Sequence, residues 1–472
     1  MGKGRYKELG VNTALFAIGS FGSRLISFFM LPLYTALLST NEYGVVDLVS
    51  STVSILVPLL TLNVQDAVLR YGLGKDAPPE EILSVGLRVI AGGTGVLLAI
   101  LAVVFSLRLL PIDGMYLVFL FAMFLLTALS NVLTMYLKSQ DHVKHLVVSG
   151  IGNTLVMCVS AVILLAVVKA GVIGYMVSMS LGSLFAAVYL FIAGKCWKGL
   201  TVKVVPGLAR SMVVFSAPLI ANSLAWWIND VGGRYIVALI CGAAANGIYA
   251  VAFKIPSILS TFQSVFYNAW SISAVKEFDP EDADGFLGRT YELYSGAMAI
   301  CCSGIMLLNL PLAALLYSSD FYVAWRYVPL LLVGVLLNGL ALFEGCLFTA
   351  SRNTGAISST TAIGAFVSLG SCIALTLAMG PMGAAVATLL GYFATWIVRT
   401  RVMLCRVARI KVSWRNEAAT LVLLVIQSFV AMDSEIQFVQ VLMLVIIVIL
   451  RRKQLGAIWA VAKTKLGRGF SR

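Results

Sequence analysis

Apolar residues run in long blocks along this chain, separated by short polar or basic segments. A helix needs about 20 mostly apolar residues to cross a bilayer. Fourteen blocks qualify: 11–38, 44–65, 84–107, 113–137, 146–168, 172–194, 212–240, 246–272, 290–316, 327–350, 354–378, 382–405, 416–432 and 435–450. The last two are the shortest. The pattern predicts an all-α integral membrane protein with about fourteen transmembrane helices. The first block is longer than the apolar core of a signal peptide, carries Arg24 inside it and lacks a small-residue cleavage site, so it reads as a span.

The segments between blocks are modest. The longest on the outer side lies around Ser318 to Arg326. On the cytoplasmic side the longest are Asp66 to Leu83, Lys195 to Ser211 and Ser273 to Arg289. None has room for a soluble domain, which argues against an enzyme with its catalytic carboxylates in large loops.

A weak repeat runs through the blocks. GVVDLVSSTVSIL (Gly44–Leu56) matches GIYAVAFKIPSIL (Gly247–Leu259) at an offset of 203, and Gly171/Gly174 match Gly380/Gly383 at an offset of 209. Each half would hold six spans in the same orientation, the plan of transporters with parallel repeats and a site between the halves. The expected divisions are 1–200 and 201–410 for two six-helix lobes, 411–450 for two accessory helices and 451–472 for a basic cytoplasmic tail.

Composition sharpens this picture. Of 472 residues, 60% are hydrophobic and 12% charged, and mean hydropathy is +0.96, which separates the chain from soluble domains. Net charge is +13. With both termini in the cytoplasm, most Lys and Arg fall on the cytoplasmic side, as the positive-inside rule requires. The distribution therefore points to membrane topology and not to nucleic acid. The densest clusters are Arg399 to Arg415 and Arg451 to Arg472, and the second is expected to lie on the anionic inner leaflet. The eight Cys are scattered, and the two His are His142 and His145, so no metal site is expected. No phosphate-binding GxxxxGK[ST] loop is present, so no ATP-driven engine is expected.

Four cations sit inside or at the edge of apolar blocks: Arg24, Arg88, Arg234 and Lys254. A charge at mid-bilayer costs ~2.5–3.5 kcal/mol or more and usually faces a cavity or a partner. Arg24 lies ~20 Å along its helix from Val11, near mid-membrane. Arg suits phosphate because its planar fork donates two parallel hydrogen bonds. Arg234 either lines such a cavity, snorkels to the outer interface or pairs with Asp230 one turn earlier. Lys254 has the first two options, and Arg88, a turn from the cytoplasmic end, is best read as snorkelling. Asp47, Asp230 and Glu344 are the acids within blocks, and each is a candidate for ion coupling. Trp226 and Trp227 lie mid-span beside Asn222. Rings and amides together bind sugar, or they pack helices.

Four segments carry a family resemblance: SFGSRLISFFMLPLYTALLSTNEYG (Ser20–Gly44), FSAPLIANSLAWWINDVGGRYIV (Phe215–Val237), GIYAVAFKIPSIL followed by FYNAWSISAVKEF (Phe266–Phe278), and GPMGAAVATLLGYF (Gly380–Phe393). In order and spacing they resemble bacterial polysaccharide flippases. These form the Wzx-type branch (O-antigen and exopolysaccharide) of the multidrug/oligosaccharidyl-lipid/polysaccharide exporter superfamily. The resemblance implies a V-shaped bundle of two six-helix lobes with two C-terminal helices. It implies transfer of an undecaprenyl-pyrophosphate-linked oligosaccharide across the bacterial inner membrane for lipopolysaccharide or exopolysaccharide synthesis. No cofactor is implied beyond an H⁺ or Na⁺ gradient. The implied partners are the lipid-linked glycan, the bilayer, and a polysaccharide polymerase with other assembly proteins. Arg24, Arg234 and Lys254 would supply the cationic cavity. Relatives often carry Asp directly before the Arg of the seventh span, where this chain has Gly233, so the local ion-pair geometry differs. A multidrug or small-molecule cation antiporter and a lipid II flippase are the alternatives on the same fold.

Overall fold

A computed structural model describes residues 22–454 except 75–76, 109–112, 199–200, 202–204, 352, 434–436 and 453. Every regular element among the described residues is a helix. Among the described residues, nine helices are long and apolar enough to cross a membrane, or ten if one bent pair counts as a single span. Fourteen was the sequence expectation, and the difference has local causes. The block at 246–272 is two helices, Ala243–Ala252 and Pro256–Lys276. Pro256 has no N–H for residue 252 and its ring clashes with that carbonyl, so the chain breaks there. Pro311 acts in the same way on residue 307. Phe286–Leu307 and Asn309–Leu316 meet at a 61° bend. Trp414–Val430 and Gln437–Leu450 have 17 and 14 residues. At ~1.5 Å per residue they measure about 26 and 21 Å, short of the hydrocarbon thickness. The first block up to residue 21 lies outside the described residues, and its remainder is divided at Met30.

The chain divides into two compact units, Met1–Trp227 and Ile228–Arg472. The sequence boundary at 200/201 falls earlier. The start of the seventh block stays with the first unit because Asn63 donates to Ser223 Oγ at 2.9 Å, and Trp227 Nε1 donates to Ser51 O at 3.0 Å.

In the first unit the Gly114–Ser139 helix lies at the centre, packed against Thr40–Leu60, Val64–Gly74, Pro79–Ser106 and Gly171–Ala193. Phe124, Leu133, Leu137, Val68 and Leu83 form the core there. A capping box of Ser39 and Glu42 starts the Thr40–Leu60 helix, and Glu80 and Glu81 sit in the first turn of Pro79–Ser106, where the helix dipole favours acids. The loop expected from Asp66 to Leu83 instead contains the Val64–Gly74 helix. Its Val64, Ala67 and Val68 recur at i, i+3 and i+4 and are buried, giving it an apolar stripe of its own.

In the second unit the Val328–Ala350 helix is the central element and is buried along most of its length. It packs against Pro256–Lys276, Phe286–Leu307 and Pro381–Arg406. The Trp414–Val430 and Gln437–Leu450 helices close on Phe286–Leu307. Here two sequence expectations need correction. Arg451, assigned to a tail on the leaflet surface, is 1% exposed and pairs with Glu417 at 2.6 Å. Arg399, assigned to a cytoplasmic cluster, is buried within the unit. Both were read by their neighbours in sequence, and each has hydrogen-bond partners on other helices that stabilise its burial.

The repeat extends into backbone detail. Gly171 (φ 56°) and Gly380 (φ 62°) open corresponding helices with a left-handed residue that favours glycine. Gly182 and Gly391 then allow close approach: a Cβ would lie 2.6 Å from Asn153 Oδ1 in one case and 2.5 Å from Ser368 Cβ in the other.

Candidate functional site

Arg24 lies on the helical stretch 22–29, exposed among the exposed apolar side chains Leu25 and Phe29. The neighbouring Ser23 hydroxyl donates to Gly150 O at 3.4 Å, which ties this turn to the Val143–Ala161 helix. Pro32 then opens a separate helix, Leu31–Leu37, so the Arg24 segment ends in a break at Met30. Arg88 is elsewhere. Its Nη2 donates to Thr201 O at 3.2 Å, and Ser84 and Glu81 accept from the N–H groups of Thr201 and Val205. The guanidinium fastens a loop.

Asp47 sits in the second turn of Thr40–Leu60, partly buried and within electrostatic reach of Tyr175. Tyr34 and Tyr43 lie against the same ring, with centroids 4.7 and 6.1 Å away. Trp227 is held by Ser51 and Ser54 on the Thr40–Leu60 helix, each at 3.0 Å, whereas Trp226 is exposed. The Asn222 side chain is outside the described residues.

In the second unit, Arg234 reaches the ring of the residue that precedes Lys254. The Arg234 guanidinium lies 5.5 Å over Phe253, and Lys254 follows Phe253 in the break before Pro256. Lys254 is exposed, and its carbonyl accepts from the Ser257 hydroxyl at 2.6 Å. A cation over an aromatic face is attracted by the ring quadrupole. Asp230 is exposed near Tyr392.

Glu344 has a different environment. It is fully buried on the Val328–Ala350 helix. Thr400 donates to its Oε1 at 2.6 Å, and its Oε2 has no hydrogen-bond partner among the described residues. Arg399, next to Thr400, is near enough to act on it electrostatically. The guanidinium itself is committed to neutral acceptors: Ala341 O at 2.9 Å, Thr360 Oγ1 at 3.1 Å and Thr361 Oγ1 at 2.6 Å. A half-satisfied buried carboxylate is a place for a proton or a small cation. Sequence reasoning singled out Glu344 but missed Arg399 and its threonines. Thr360 and Thr361 lie on a different helix from Arg399, and no sequence spacing connects them. No group of three metal-ligating side chains occurs among the described residues.

The family described as polysaccharide biosynthesis protein matches residues 9–271, more than half of the chain. The chain belongs to this family. No curated protein matches the sequence. Solved structures show where the fold belongs. A lipid II flippase MurJ in an inward closed conformation superposes with a TM-score of 0.64 at 15% identity, covering 93% of this chain and 98% of the other. An inward-facing multidrug resistance MATE transporter of the MOP superfamily gives 0.62 at 12%, covering 86% and 98%. A MOP superfamily transporter from Pyrococcus furiosus, described as having a binding pocket of reverse polarity, gives 0.56 at 14%, covering 83% and 94%. The chain is thus a multi-pass membrane protein of the polysaccharide biosynthesis family, with the fold of these solved structures.

Proposed function

We propose that the protein carries an undecaprenyl-pyrophosphate-linked oligosaccharide from the cytoplasmic to the outer leaflet of a bacterial inner membrane, as a step in building surface polysaccharide such as O-antigen or exopolysaccharide. Both termini are cytoplasmic in this reading. The observation that carries the cargo's charge is Arg24, an exposed guanidinium within an apolar block of a polysaccharide-family transporter. Arg234, over the Phe253 ring, and the exposed Lys254 are further cations of the same polarity. The pyrophosphate would exchange water for these cations while the polyprenyl chain stays in lipid. Trp226, Trp227 and Asn222 are the aromatic and amide candidates for sugar contacts. The site would have to release its product, so moderate attraction suits it better than a tight clamp.

Transport against a gradient needs coupling, and Glu344 is the leading candidate of the three acids. Its buried, half-satisfied carboxylate would take up a proton or Na⁺. Asp47 and Asp230, which are more accessible, are secondary candidates. The reading is tested in cells by Arg24→Ala. Lipid-linked oligosaccharide should accumulate on the cytoplasmic leaflet while the protein remains folded in the membrane. Normal surface glycan from that variant would remove Arg24 from the cargo path. A drug-susceptibility panel on a strain lacking the protein addresses the multidrug alternative, which predicts sensitisation with surface glycan intact. Loss of viability with peptidoglycan precursors retained inside would instead favour lipid II as cargo.

A further inference from the structure

The Pro256–Lys276 helix is long enough to cross a bilayer, yet it is not among the helices apolar enough to do so. Its polar residues share a face. Ser257, Ser260, Thr261, Ser264, Tyr267 and Asn268 recur at i, i+3, i+4, i+7, i+10 and i+11. All are uncharged. Lys254 precedes this face by one turn.

The face leads to a pocket of about 150 Å³ bounded by Pro256–Lys276, Val328–Ala350 and Phe286–Leu307. Since ~10–15 Å³ on this scale holds one water, there is room for on the order of ten waters or one sugar ring. Ser260, Gln263 and Tyr267 line it from the first helix, Asn338 from the second and Tyr294 from the third. Gly339 makes the space. A Cβ there would lie 2.2 Å from Gln263 Nε2 and 2.8 Å from the Tyr294 hydroxyl.

Gln263 and Tyr294 are 5% and 4% exposed. Gln263 Nε2 donates to Val335 O at 3.0 Å. Gln263, Tyr294 and Asn338 bring an amide, a phenol and a second amide to the wall of the pocket. Polar groups gathered on the wall of a pocket can be satisfied by a ligand or by water. One wall is aromatic: Phe266 stacks on Tyr294 at 4.4 Å, and the Phe343 ring lies 6.1 Å from Phe266 and 5.5 Å from Tyr294.

We propose that this pocket is a subsite for one uncharged sugar ring, approached along the hydroxyl and amide face that begins at Lys254. The proposal rests on the reading of the cargo as a lipid-linked glycan. A sugar ring offers donors and acceptors to an amide oxygen, an amide and a phenol together. It also presents C–H surface to the aromatic wall. A lipid chain would leave the three polar groups unpaired, and no ionised side chain lines the pocket to favour an ion.

The test uses the full-length protein in nanodiscs. Binding is measured for undecaprenyl pyrophosphate alone and for the same lipid bearing a single glucose, galactose, N-acetylglucosamine or N-acetylgalactosamine. At least one sugar-bearing lipid should bind about tenfold tighter than the bare lipid. Tyr294→Phe, which keeps the ring packing, should weaken that lipid about two- to tenfold and leave bare-lipid binding unchanged. Asn338→Leu should abolish the preference, and if it fails to fold, Tyr294→Phe decides. Equal binding of bare and sugar-bearing lipids by the wild type, or a full preference in Tyr294→Phe, would overturn the subsite and leave the flippase reading standing. Failure of the wild type to bind either kind of lipid would count against the flippase reading and take the subsite with it.

Discussion

Breaking the Arg451–Glu417 pair tests whether the C-terminal helices are bound to the second unit by buried polar contacts. Arg451 donates to both carboxylate oxygens of Glu417, at 2.6 and 2.9 Å, and to Thr420 Oγ1 at 2.9 Å. The Ser295 hydroxyl donates to Glu417 Oε2, which links the pair to Phe286–Leu307. Both charged side chains are 1% exposed. Removing one partner of such a pair costs ~3–5 kcal/mol, because the other charge stays buried without compensation. For a unit the size of Ile228–Arg472, ~1 kcal/mol shifts Tm by ~2–4 °C, so Glu417→Ala should lower Tm by roughly 6–20 °C. The double variant Glu417→Met/Arg451→Leu exchanges both charges for apolar groups of similar size. It should recover to within about 4 °C of the wild type, since such replacements are often neutral or stabilising. Thermal unfolding of the purified protein in one detergent measures all three. An unchanged Tm in Glu417→Ala, or a double variant as unstable as the single, would refute the reasoning.

Other outcomes follow from individual contacts. Gly339→Ala places a methyl against Gln263 and Tyr294 and should cost ~1–3 kcal/mol, read as a lower Tm, and remove any preference for sugar-bearing lipid. Glu344→Gln retains an acceptor for Thr400 but no charge. Transport in proteoliposomes should lose its response to an imposed proton or sodium gradient, and an intact response would exclude Glu344 from coupling. Asp279, in the loop before Phe286–Leu307, accepts from the N–H groups of Ala283 and Glu281, which holds its carboxyl below the usual carboxylate range. A depressed folded value means the contribution is present above the unfolded value near ~3.9 and is lost as pH falls through the folded one. Hydrogen exchange at the Ala283 amide should therefore stay protected at neutral pH and lose protection in strong acid, whereas Asp279→Asn should remove this pH dependence.

Apolar blocks were legible because hydrocarbon thickness imposes a length that sequence displays directly. Among the described residues, nine of the fourteen correspond to single candidate spans, and the family resemblance agrees with the match over residues 9–271. Breaks were less legible. Pro256 and Pro311 stand within apolar blocks of the sequence, but whether a proline bends a helix or divides it depends on what the flanking turns pack against. Charge was read from neighbours in sequence, which failed for Arg399 and Arg451. On other helices, Thr360 and Thr361 lie 39 and 38 residues from Arg399, and Glu417 lies 34 from Arg451. Even the shortest of these separations carries no helical periodicity. The pocket at Gly339 was hidden for the same reason, since Gln263, Tyr294 and Asn338 meet only after three helices pack.

The central claim is that the protein moves a pyrophosphate-linked glycan lipid and that Arg24 takes part. Its most direct test is reconstitution into proteoliposomes with undecaprenyl-pyrophosphate-linked oligosaccharide and measurement of the fraction exposed on each leaflet over time. Wild-type protein should equilibrate the lipid between leaflets. Arg24→Ala should be slower by about tenfold to a hundredfold, the scale of a lost charge-assisted hydrogen bond. A wild type that leaves the lipid where it was inserted, or an Arg24→Ala variant that moves it at the wild-type rate, would contradict the account.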